Sequence, residues 1–150
     1  MKETLDSNFA FQNANPKIVV KGAGEMATGI AHRLYMANFK NILMTEIEQP
    51  LTVRRTVAFS ESVYTGSSRV EDVTALLVKD SGDISDVWRK HCIAVIVDPK
   101  WDVVKEMKPD IVVDAIMAKR NIGTKKDEAP IVIGVGPGFT APVDVHAVVE

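Results

Sequence analysis

The chain reads as an α/β protein: a Rossmann-like, doubly wound, mostly parallel sheet with helices on both faces. Three observations predict it. Short runs rich in valine and isoleucine recur with little polar alternation, which suits strands buried on both faces. Most of these runs are followed by a turn and a stretch with helical spacing, the β-α rhythm of right-handed crossovers. The first such turn is rich in glycine and opens directly into a helix.

The elements follow in order. Lys17–Lys21 is the first strand. Glu25–Asn38 is a helix whose apolar stripe is Ala27, Ile30, Ala31 and Leu34. Asn41–Thr45 is the second strand, followed at once by Glu46. Pro50 starts a second helix reaching about Ser62, with Val53, Val57 and Ser60 turned inward. Val73–Val78 is a third strand and Ile84–Lys90 a short helix. Ile93–Val97 is a fourth strand, and Trp101–Met107 a helix after it. Ile111–Ala115 and Ile131–Val135 are the fifth and sixth strands. Residues 1–16 are polar and aperiodic, closed off by Pro16, and read as a mobile tail or edge strap that Phe9 and Phe11 could anchor. Residues 17–150 then form one domain. The final "DVHAVVE", Asp144–Glu150, reads as a last edge strand or as an element cut short by truncation of the chain.

Bulk composition sets limits. The chain has 150 residues, about one domain's worth, with 46% apolar and 25% charged residues. A net charge of −2 offers no global field for nucleic acid or a membrane surface. The single cysteine, Cys92, cannot form an internal disulfide and reads as a small buried hydrophobe, so a reducing, cytoplasmic location is expected. No apolar run approaches the ~18 residues of a membrane span, and the N-terminus carries no apolar core of signal-peptide length.

Ligands of doubly wound sheets sit beyond the carboxyl ends of the strands, so the residues after each strand are the candidates. After the first come Gly22, Ala23, Gly24, Glu25, Met26 and Ala27, a match to G-x-G-x-x-[GA]. Gly22 would make the tight turn, Gly24 would let a pyrophosphate approach the backbone, and Ala27 would allow close helix–strand packing. Glu46 stands 22 residues beyond Gly24, about where an acid holding a ribose hydroxyl is expected. Asp98 follows the fourth strand. Asp114 ends the fifth, with Lys119, Arg120 and Asn121 beyond it. Gly134, Gly136 and Gly138 follow the sixth, either as an anion nest or as a bend at the strand end. Lys119, with Arg120, Lys125 and Lys126, could meet a phosphate or simply form a solvated loop. Arg54 and Arg55 could meet a 2′-phosphate or lie on an exposed helix face. Asp114 and Lys119 are the candidates for catalytic work. Signals for metal are thin: His32, His91 and His146 lie far apart, and Asp144 with His146 is only a weak pair, so no metal site is assigned.

Several blocks together carry a resemblance: "VVKGAGEMATGIAHRL", "VRRTVAFSESVY", "VIVDP", "KPDIVVDAIMAKRNIGT" and "APIVIGVGPGFTAPVDVHAVVE". In that order they resemble the YqeB-type accessory proteins of selenium-dependent molybdenum hydroxylase systems, a family related to the xanthine dehydrogenase accessory proteins. The resemblance covers residues 17–150. Pro142 departs from it, standing where a glycine is expected. The resemblance implies a Rossmann-type domain and a role in maturing or supporting a hydroxylase that carries a pterin dinucleotide on molybdenum. "GAGEM" also looks like the turn of the NADPH-dependent glutamyl-tRNA reductases. There an acid after the second glycine is tolerated if its side chain turns away and leaves the backbone N–H groups free.

The expectation is therefore a cytoplasmic accessory or maturation protein with a nucleotide pocket for NAD(P) or a pterin or cytidine dinucleotide. Its partners would be a molybdenum hydroxylase or that enzyme's cofactor-maturation proteins, and it could form a homo-oligomer. Two alternatives stand beside it: an NAD(P)-dependent oxidoreductase acting on a small substrate, and a non-catalytic scaffold module for the hydroxylase.

Overall fold

The structure is a computed structural model, and it describes residues 15–150. Residues 1–14 of the N-terminal tail, Phe9 and Phe11 included, lie outside the described residues.

Eight strands form one sheet: β1 (Lys17–Lys21), β2 (Asn41–Glu46), β3 (Ser67–Val70), β4 (Val73–Val78), β5 (Ile93–Val97), β6 (Ile111–Asp114), β7 (Ile131–Val135) and β8 (Ala147–Val149). Their spatial order is β3-β4-β5-β2-β1-β6-β7-β8. Every pairing is parallel except β3 with β4. From β1 the chain moves to β2, runs out to the edge at β3, returns inward through β4 to β5 beside β2, then crosses to β6 on the other side of β1. The switch point lies between β1 and β6, and a crevice opens there at the strands' carboxyl ends.

Four helices cover the sheet: α1 (Glu25–Met36), α2 (Ser62–Thr65), α3 (Ile84–Arg89) and α4 (Asp102–Met107). Strand residues point alternately to the two faces, and two apolar cores result. Ile18, Val20, Ile42 and Met44 pack with Ala27, Ala31 and Tyr35 of α1, and with Phe59. Val19, Leu43, Ala94, Ile96 and Val112 pack on the other face with Ile84 and Val87 of α3 and Val103 and Val104 of α4. Helices on both faces and a mostly parallel sheet make this the doubly wound α/β architecture the sequence predicts.

Differences from expectation are local. α1 ends at Met36 because Asn38 takes a left-handed conformation (φ 75°), while the N–H groups of Ala37 and Phe39 donate back to Arg33 and Leu34. The helix expected from Pro50 to Ser62 is absent. Residues 51–54 are irregular, two single 3₁₀ turns follow at Arg55–Val57 and Phe59–Glu61, and α2 is only four residues long. Val53 is 97% exposed, so it does not turn inward, and Val57 is exposed as well; Ser60 is buried as expected. The segment is instead held by tertiary bonds: Ser60 N–H donates to Ala23 O (2.8 Å) and Phe59 N–H to Thr28 Oγ1 (2.9 Å). β3 was not foreseen, because its polar run Ser67-Ser68-Arg69 suits an edge strand that faces water on one side. Trp101 does not belong to α4; it precedes the helix in a left-handed conformation (φ 58°). Cys92 is half-buried rather than buried.

Candidate functional site

The turn after β1 is built by two glycines with different reasons to be glycine. Gly22 has φ +93°, and a Cβ there would lie 3.3 Å from Ala115 O and Ile116 Cα, so the fold itself requires glycine. Gly24 has φ −69°, open to any residue, and a Cβ there would meet nothing within 4 Å. Neither backbone nor packing asks for glycine at 24.

Gly24 is the N-cap of α1. Thr28 N–H is the helix's first to reach a carbonyl, that of Gly24 (2.8 Å), and no side chain caps this end among the described residues. The N–H groups of Glu25, Met26 and Ala27 precede that first bond and have no partner within the helix, at the positive end of its dipole.

Glu25 does turn away. Its Oε1 accepts the Arg54 N–H (2.9 Å), and its Oε2 accepts Arg54 Nε (2.8 Å) and pairs with Nη2 (2.6 Å). These side-chain and backbone bonds from Arg54 hold its carboxyl below the usual range. The acid therefore faces the 51–54 segment, and the helix start keeps its donors clear.

Glu46, at the end of β2, is locked beside the turn. Ala23 N–H donates to its Oε2 (2.9 Å) and Ile47 N–H to its Oε1 (2.8 Å). Each oxygen keeps further acceptor capacity. Asp98 receives Val103 N–H (2.9 Å) on its Oδ2 and thereby ties down the first turn of α4.

These residues line one cleft of about 410 Å³ at the carboxyl end of the sheet. Of the sequence-predicted set, Gly22, Gly24, Glu25, Met26, Ala27, Glu46 and Asp98 line it. Ala23 is fully buried just behind and contributes its N–H to Glu46. Sequence reasoning missed the apolar walls: Ile47 and Leu51 from the segment after β2, Met117 and Ile122 from the segment after β6, and Trp101. It also missed Thr45, a cleft-lining residue whose buried hydroxyl has no partner among the described residues. A polar side chain near the end of an apolar strand was the available signal.

The remaining predicted residues lie outside the cleft lining. Gly134 leaves room for the Phe139 ring, which a Cβ would approach to 2.5 Å. Gly138 (φ +106°) lets the Arg120 backbone pass where a Cβ would be 2.4 Å away. Close packing alone accounts for glycine at both positions. Asn121 Oδ1 accepts the N–H groups of Gly123 (3.0 Å) and Thr124 (2.8 Å). Lys119 is exposed, in a left-handed conformation (φ 62°).

Asp114 belongs to a buried network. Its Oδ2 accepts from Thr124 Oγ1 (2.7 Å), and that hydroxyl accepts from Lys21 Nζ (2.8 Å). Lys21 is fully buried, pairs with Glu128 (2.7 Å) and lies 3.7 Å from the Trp101 ring centroid. Burial pushes the Lys21 ammonium below its ordinary pKa, against the opposing pull of Glu128 and Asp114. Asp144 accepts the Thr140 N–H (3.0 Å) within its own loop, and His146 accepts the Val132 N–H (2.9 Å) and so fastens the last segment to β7.

Over 133 residues, 89% of its length, the chain is 48% identical to the uncharacterized protein YqeB of Escherichia coli K12. The chain is a homologue of YqeB. It spans 24% of that relative's length, so YqeB extends far beyond the domain described here. No family model matches the chain. No solved structure matches it. The stretch aligned with YqeB is long enough that it must include most of the sheet and so most of the strand ends that frame the cleft.

Proposed function

We propose that this domain is the nucleotide-binding unit of an accessory protein that matures or supports a selenium-dependent molybdenum hydroxylase. The observation that carries the nucleotide part is Gly24. It sits at the open N-terminus of a 12-residue helix, where neither φ nor packing calls for glycine. A missing side chain that the fold does not need is explained by a ligand whose phosphates approach the backbone closely. The N–H groups of Glu25, Met26 and Ala27 would receive the phosphates and Glu46 a ribose hydroxyl. The walls of Ile47, Leu51, Met117 and Ile122 would take a base. A cleft of about 410 Å³ is within the range of small-molecule sites. The hydroxylase part rests on the five sequence blocks that resemble the accessory family.

Thermal unfolding with NAD, NADP and cytidine nucleotides at millimolar dose tests the nucleotide part. A ligand at 100 times its Kd stabilises by about 2.7 kcal/mol, or roughly 5–10 °C at this chain length. No shift with any of them overturns it. The hydroxylase part is tested by deleting the full-length gene. Unchanged hydroxylase activity and metal content in that strain would refute it.

The scaffold reading has one observation in its favour. Leu51 and Val53 are 96% and 97% exposed, and Met26, Ile47, Met117 and Ile122 are exposed around the same cleft mouth. Such an apolar rim suits a protein partner. Binding to the hydroxylase that persists unchanged in the absence of nucleotide and in Gly24→Ser would favour it.

A further inference from the structure

A second and larger opening runs beside α4. It is a groove of about 1040 Å³, with α4 and its flanking residues on one bank and residues 123–130 on the other. Of its lining residues, only Trp101 also borders the cleft described above. The two openings differ in charge. The cleft is lined by the acids Glu25, Glu46 and Asp98 and by no lysine or arginine. The groove carries four exposed lysines, Lys100, Lys105 and Lys108 on the α4 bank and Lys125 on the other. None of the four forms an ion pair with a described residue. Among the acids of the groove, Glu128 is paired with Lys21 (2.7 Å), which leaves Asp110 and Asp127 against the four lysines. On a chain of net charge −2 this is a local surplus of cations.

The fold accounts for two of these lysines. Lys105 and Lys108 stand in the last turn and at the C-cap of α4, where a cation favours the helix dipole. Lys100 precedes the start of α4, the wrong end for a cation, and Lys125 leads into a single 3₁₀ turn. Like charges gathered along one groove repel one another, and a bound anion relieves that. Trp101 adds an aromatic wall. Its backbone is left-handed (φ 58°), which is uncommon for a bulky residue. Its ring is braced by Lys21 Nζ, 3.7 Å from the centroid, and by Gly123, where a Cβ would lie 3.3 Å from it.

We propose that this groove docks an extended acidic peptide segment of a partner protein, its carboxylates spread over the four lysines and an apolar side chain resting on Trp101. Lysines are point charges without the fork that grips one compact anion, and set along both banks they match charges spaced along a chain. Nucleic acid fits less well, because its phosphates call for a broad basic face that Asp110 and Asp127 interrupt. The six residues of α4 rise about 9 Å, and with its flanks an extended peptide covers that length in about three to five residues. None of the four lysines lines the cleft, so the docking stands apart from the nucleotide reading.

Fluorescence anisotropy with a labelled peptide of about eight residues, alternating glutamate and leucine, tests this on the wild-type chain. The peptide is expected to bind at least tenfold more tightly than its glutamine–leucine counterpart. Its affinity should fall severalfold from about 50 to about 300 mM salt, as screening requires. The double variant Lys105→Glu with Lys125→Glu, one exposed side chain on each bank, should weaken binding at least tenfold. Lys79→Glu with Lys90→Glu changes the net charge equally at exposed lysines outside the groove and should leave binding within twofold, with circular dichroism confirming both folds. Equal losses in the two doubles would mean long-range attraction alone and overturn the groove. No binding at millimolar protein, or equal affinity for the glutamine peptide, overturns the acidic occupant. A short DNA single strand that binds more tightly than the peptide overturns it in favour of nucleic acid. In Trp88→Phe, where Trp101 is the one tryptophan left, saturating peptide should shift the emission; an unchanged spectrum overturns the contact with Trp101.

Discussion

Gly22 and Gly24 look alike in sequence and behave differently in the structure. Gly22→Ala introduces a Cβ at φ +93° against the Ala115 carbonyl. It should destabilise the fold by about 1–2 kcal/mol, the cost of a left-handed residue with a side chain. Gly24→Ser meets no such obstacle and adds a hydroxyl that can cap α1. Serine at an N-cap is as good as glycine or better by a few tenths of a kcal/mol. Urea unfolding should therefore show unchanged or slightly raised stability for Gly24→Ser, while nucleotide-induced stabilisation disappears. A loss above about 1 kcal/mol in the absence of ligand would mean the glycine serves the fold, and the strongest support for the binding site would be gone. The sequence offered two glycines in a motif; only the backbone angles and the neighbouring atoms separate the one that shapes the turn from the one that clears it.

At the scale of elements, the segment from β6 to β7 is organised by Lys21. This lysine at the end of β1 draws Thr124 and Glu128 inward, and Thr124 in turn bonds Asp114. Asn121 shapes the turn that presents Thr124. Residues that look catalytic in sequence, Asp114 above all, thus have structural partners, and the reason was illegible because Lys21, which ties the network together, lies 103 and 107 positions from Thr124 and Glu128. Charging Lys21 in its buried place is unfavourable, so the unfolded chain binds its proton more readily. Stability therefore rises with pH between the lowered folded value and the ordinary 10.5. Glu128→Gln removes the charge opposing this and should cost about 2–4 kcal/mol near neutral pH, as expected when one member of a largely buried pair is lost. The deficit should shrink as pH rises toward 10.5, because the folded chain releases the Lys21 proton before the unfolded chain does and the neutral amine no longer needs Glu128. Chemical denaturation of both proteins from pH 6 to 10 measures it. A deficit that is flat or grows with pH contradicts this account.

Across the whole molecule, the legible part was what periodicity encodes. Six of the eight strands, three of the helices, and the cleft residues after β1, β2 and β5 follow from apolar runs and the residues next to them. What failed was held by long-range bonds: Pro50–Ser62 has helical spacing, yet Ala23 and Thr28 bond its backbone directly, and tertiary contacts override propensity there. The spatial strand order follows from how those contacts close and lay beyond any local pattern. That order predicts a gradient of local stability. β1, β2 and β5 have strand neighbours on both sides and buried residues on both faces, whereas β3 and β8 are edges with half or more of their residues exposed. Amide exchange should then be slowest at Ile18–Val20, Leu43–Met44 and Ala94–Val95, opening only with global unfolding. It should be fastest in β8 and in residues 51–54, where opening exposes little apolar surface. Bound nucleotide should slow exchange selectively at Glu25–Ala27 and Ile47, because those N–H groups flank the ligand, and should slow the central strands only by the global binding energy. Uniform slowing, with no added protection at the start of α1, would place the ligand somewhere other than the turn at Gly24.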